Sequence, residues 1–98
     1  MRVRFTDAAE SDLEAIGNFI ANDSPARAVT FVQELVDRSI ELGSHPLRYP
    51  VYVVRDGREI RRRAHGRYIT FYSIVGDVVE INHIVHSARD YARLFSDD

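Results

Sequence analysis

The strongest constraint on this chain lies between Val51 and Val85, where apolar, β-branched and aromatic runs alternate with turn dipeptides. Val51-Tyr52-Val53-Val54 is strand-forming, and Asp56-Gly57 behind it suits a two-residue type I′ hairpin, whose turn positions both need positive φ. Glu59 to Ala64 returns, His65-Gly66 turns again, Tyr68 to Val75 extends, and Gly76-Asp77 leads into Val78 to Val85. Short turns of this kind join antiparallel neighbours, so the second half reads as a meander of three or four strands.

The first half changes period. Arg2-Val3-Arg4-Phe5 alternates as a short strand does. Ala9, Leu13, Ile16 and Ile20 then recur at helical spacing, with Thr6 or Asp7 as N-cap and Asp7–Glu10 at capping-box spacing. Asn22-Asp23-Ser24-Pro25 interrupts and restarts the chain, because Ser24 caps well and Pro25 suits the first helical position. The second helix carries Ala28, Val32, Leu35, Val36 and Leu42 on one stripe and ends at Gly43, a residue suited to a left-handed C′ position. Neither helix can bury its stripe alone. The expected fold is therefore α+β: β-α-α followed by three or four strands, a helical hairpin on one face of an antiparallel sheet, and a short C-terminal helix from Ser87 to Phe95. The sheet's other face should meet water or a partner.

Ninety-eight residues with 45% hydrophobic content make one domain, 1–98, with a single modest core. There is no cysteine, which excludes disulfides and thiolate metal sites. No apolar stretch approaches the ~20 residues a membrane helix needs, so a cytoplasmic protein without membrane association is expected. Net charge is −2, yet it is unevenly placed: Arg48 to Arg67 holds seven Arg against Asp56 and Glu59, or +5. All thirteen basic residues are Arg, and guanidinium pairs bidentately with carboxylates or phosphates. Genomic composition bias alone would also produce such a count.

Two segments resemble a known family. Ile60-Arg61-Arg62-Arg63-Ala64-His65-Gly66-Arg67-Tyr68-Ile69 and Ile84-Val85-His86-Ser87-Ala88-Arg89-Asp90 are similar to stretches of the RelE/ParE toxin superfamily, most of all its ParE branch. Many members carry Pro-x-x-Gly after the second helix; here His45-Pro46-Leu47-Arg48-Tyr49-Pro50 lacks the glycine. The resemblance implies the toxin of a bacterial type II toxin–antitoxin (plasmid stabilisation) system, inhibiting DNA gyrase and neutralised by a ParD-like antitoxin, with the complex binding operator DNA through the antitoxin. It equally allows a RelE-like ribosome-dependent messenger endoribonuclease, working without metal. A fold that has lost toxicity and serves as co-repressor is the third reading.

Candidate residues follow from both lines. Arg61, Arg62, Arg63, Arg67 and Arg89 are the expected target contacts, facing phosphates or acidic side chains. Strand alternation puts Arg61 and Arg63 on one face and Arg62 on the other. Solvated, internally paired arginines are the plain alternative. Tyr49, Tyr52 and Val53 are the expected antitoxin contacts. RNA cleavage needs a base, a cation for the phosphorane and an acid for the leaving oxygen. Arg61, Arg67, His86, Arg89 and Tyr91 would supply these, although the family's lysines are absent and Tyr91 also reads as sheet packing. His83 and His86 point to opposite faces of a strand and cannot share an ion, so no metal and no cofactor is expected.

Overall fold

The computed structural model describes residues 1–96. β1 (Arg2–Phe5) is followed by α1 (Asp7–Ala21) and α2 (Pro25–Glu41), then β2 (Val51–Arg55), β3 (Arg58–His65), β4 (Tyr68–Val75) and β5 (Val78–His86). The five strands form one sheet in the order β1-β5-β4-β3-β2. The meander is antiparallel as expected, but β1 pairs parallel with β5, Arg2 against Val78 through Phe5 against Ile81, so the sheet is mixed. At the first hairpin Asp56 and Gly57 adopt φ of 54° and 75°, the type I′ requirement.

The helices start and stop for local reasons. Thr6, not Asp7, caps α1: its hydroxyl accepts from the Ala9 amide at 3.1 Å, leaving Asp7 as the first helical residue near the positive end of the dipole. Ser24 caps α2 by accepting from the Arg27 amide, with Pro25 behind it. Gly43 does not take the left-handed conformation expected of it. It is needed for space, because a Cβ there would sit 2.3 Å from the Met1 carbonyl oxygen.

Core packing follows the pleat. On the helix side, Ala9, Ile16, Leu35 and Leu42 meet Tyr72, Val79, Ile81 and Ile84. Opposite a one-residue shift between Phe71 and Tyr72, β5 keeps both Ile81 and Ile84 on this face. The other face differs from expectation. Half of it is a second cluster of Ile60, Ile69, Phe71 and Val85, closed by Tyr52, Val53, Tyr91, Leu94 and Phe95. The short closing helix is a five-residue 3-10 segment, Tyr91–Phe95, and starts later than Ser87 because Ser87 and Ala88 are spent in the preceding turn.

Candidate functional site

β3 presents its arginines as alternation requires, and the two faces treat them differently. Arg61 points to the helix side, where Nη1 donates to the Tyr49 carbonyl at 2.6 Å and reaches the Leu47 carbonyl at 3.4 Å. Arg63, on the same side, donates to the Arg38 carbonyl at 2.7 Å, meets Glu41 at 3.7 Å and lies 5.3 Å from the Tyr49 ring centre. Their side chains are only 14% and 12% exposed. Beside them the buried Tyr72 hydroxyl donates to the Pro46 carbonyl at 2.9 Å. Burial pushes the Tyr72 phenol above its usual range, and the nearby Arg61 charge opposes that rise. Arg61 and Tyr72 fasten the segment 44–50 to the sheet, while Arg63 ties β3 to the end of α2 beneath the Tyr49 ring.

Arg62 faces the other way. Its guanidinium lies 5.6 Å from the Tyr52 ring centre and 5.9 Å from that of Tyr91, and it donates to the Tyr91 hydroxyl at 3.0 Å. Tyr91 packs on Phe71 and Tyr52, at 5.3 and 5.7 Å between ring centres. Tyr52 and Val53 are likewise half-buried against this cluster, while Val51 and Val54 are the exposed members of β2. Tyr49 is half-buried on the helix-side core.

The His86–Asp90 ending builds a corner. The His86 Nδ1 accepts from the Ala88 amide at 3.0 Å, which leaves the proton of the neutral ring on Nε2, and the ring stands edge-on to Tyr68. The Arg89 amide bonds the His86 carbonyl, and the Ser87 amide bonds the Arg67 carbonyl at 2.7 Å. Arg67 and Arg89 are exposed. An apolar cavity of about 290 Å³ opens here between α1 and β5, with Ile16, Phe19, Tyr68, Ile84 and His86 among its walls and Arg89 at its rim. Asp90 precedes the 3-10 turn without a side-chain capping bond.

Of the five residues expected for RNA cleavage, Arg67, His86 and Arg89 share this corner, while the other two stand apart. Arg61 and His86 lie on the helix side two strands apart, offset by four positions along β4 through Tyr72 and Tyr68. Tyr91 is on the opposite face, paired with Arg62. His83 and His86 do take opposite faces, and among the described residues no group of three acidic or histidine side chains could hold a metal ion. One polar centre was not legible in advance. Asp12 on α1 accepts from the Ile84 amide at 2.9 Å and meets His83 Nδ1 at 3.0 Å, closing the β5 edge where β1 ends. Its partners lie more than seventy positions away, at no recognisable spacing.

A family model described as the ParE toxin of the type II toxin–antitoxin system parDE matches residues 3–91. The chain belongs to the ParE toxin family. No curated protein matches it. A solved structure of the chromosomal ParDE system from P. aeruginosa is similar, with TM-score 0.70 and 19% identity over 88% of this ParE-family chain and 95% of the other. The RelBE2 toxin–antitoxin complex from Mycobacterium tuberculosis is also similar, with TM-score 0.61 and 28% identity over 90% and 92% of the two chains. Within the described residues of this ParE-family chain, no helix is long and apolar enough to cross a membrane.

Proposed function

We propose that this ParE-family toxin acts in the bacterial cytoplasm by inhibiting DNA gyrase, and that a ParD-like antitoxin neutralises it by direct binding. The dispersal of its polar side chains carries this reading. Metal-free RNA cleavage needs base, cation and acid converging on one phosphate, within a few ångströms. Here Arg61 and Arg63 are engaged by backbone carbonyls, Tyr91 is bound by Arg62 on the far face, and there is no lysine. Among the expected target contacts Arg67 and Arg89 are the exposed ones, with Arg62 reached through the Tyr52–Tyr91 face. Arg61 acts indirectly by holding the segment 44–50, and Arg63 by tying β3 to α2. The antitoxin contacts Tyr49, Tyr52 and Val53 through their exposed edges, alongside Val51 and Val54, and carries the complex to operator DNA. A ribosome-dependent nuclease is the second reading. It is favoured by the likeness to RelBE2 and by the Arg62–Tyr91 bond, a cation and a phenol held together.

Induction of the chain alone separates the two. Gyrase inhibition predicts filamentous cells and DNA breaks with translation intact, and loss of supercoiling by purified gyrase. Rapid messenger cleavage with intact DNA would overturn it. In the gyrase assay Arg67→Ala and Arg89→Ala should weaken inhibition at least tenfold without altering the fold.

A further inference from the structure

The sheet ends at β2, whose outer edge faces no strand among the described residues. The type I′ turn fixes the direction of the hydrogen bonds along that edge. In a two-residue hairpin the flanking residues, Arg55 and Arg58, exchange both backbone bonds, so Arg55 and Val53 aim their amides and carbonyls at β3. Val54, opposite Glu59 at a non-hydrogen-bonded position, aims both groups outward. Val54 is 55% exposed, and Val51 on the same sheet side is 38% exposed. Natural edges are commonly blunted by a charged residue at such a place. The irregularity between Val51 and Val53 shortens this edge but leaves Val54 beyond it.

We propose that β2 pairs with β2 of a second copy of this chain, antiparallel about a two-fold axis at Val54. The segment is complementary to itself. The two Val54 residues exchange N–H···O=C bonds reciprocally, and their side chains meet on the helix side. On the other side each Arg55 faces Val53 of the second copy, so no like charges stand directly opposed and the arginine stem covers the valine. One patch used twice is what a closed two-fold dimer requires. Pairing two five-residue strands covers far less than a standard interface, so dissociation on the order of 100 μM is expected. The inference is independent of the gyrase reading. It makes self-association compete with any partner that uses the same edge.

Sedimentation equilibrium of the free chain over roughly 10–500 μM, with amide exchange read at Val54, tests it. The mass should rise toward the dimer, and protection of the Val54 amide should rise with concentration. Val54→Pro removes a donor that no bond among the described residues uses, and Val54→Lys sets two ammonium groups at the axis while keeping the backbone. Both should stay monomeric, with Val54→Lys deciding if the proline variant fails to fold. A wild-type chain that is monomeric throughout, variants that associate equally well, or association with Val54 unprotected would each overturn the proposal.

Discussion

Phe71 and Tyr72 are neighbours on β4, both 0% exposed, yet they are buried by different means. Tyr72 lies under two helices of 15 and 17 residues, each with a side-chain N-cap and an apolar stripe. Phe71 lies under a five-residue 3-10 turn with no side-chain cap and no fully buried residue of its own. That turn is held by ring contacts, Phe71–Phe95 at 4.8 Å and Tyr52–Phe95 at 6.0 Å, and by the Arg62–Tyr91 bond. One cover is built into the cooperative core. The other is a short cover held by a few side-chain contacts, and such elements are expected to open locally before the whole domain unfolds.

Breaking each cover should measure that difference. Leu35→Ala, at a fully buried helix-side position, should cost about 2–5 kcal/mol in urea unfolding. Phe95→Ala should cost about 1–2 kcal/mol, since the ring is half-buried and contributes mainly aromatic contacts. It should also raise amide exchange in residues 91–95 far more than in α2. Equal losses for the two variants would erase the distinction between core and short cover. The smallest effect sharpens the helix side. Tyr72→Phe removes the bond to the Pro46 carbonyl and should cost about 0.5–1.5 kcal/mol. The native phenol titrates above its unfolded value, so its contribution is complete below about pH 10 and is lost as pH rises through the folded pKa. Thermal unfolding followed from pH 8 to 11 should therefore fall less steeply in the variant. An unchanged slope would assign the alkaline loss to other groups.

Local chemistry made most of the fold legible. Turn residues such as Asp56-Gly57, the Ser24-Pro25 start and the two helical stripes each state a backbone requirement within a few positions. Pairings between distant parts were not legible in that way. Nothing in Arg2 to Phe5 says that it will lie parallel to Val78–Ile81, because a four-residue alternation fits either sheet edge. The arginines illustrate the same limit. Alternation placed Arg62 apart from Arg61 and Arg63, but the partners of the latter two are largely carbonyls of Tyr49 and Arg38, groups every residue carries. A sequence marks the donor and leaves such an acceptor anonymous. The aromatic cover was hidden for a related reason, since Tyr91, Leu94 and Phe95 read equally well as a helix stripe.

The parallel pairing of β1 with β5 has a consequence in time. Residues 2–5 leave the ribosome ahead of the backbone they bond, 78–81, which arrives 76 positions later. At ordinary elongation rates that interval is roughly 4–15 s. Until then the hairpin of helices has only part of its sheet to cover, and the Asp12 clasp on Ile84 has nothing to hold. The surface shared by α1, β1 and β5 therefore forms only after β5 has emerged, and a binding protein already in the cell can meet it from that moment.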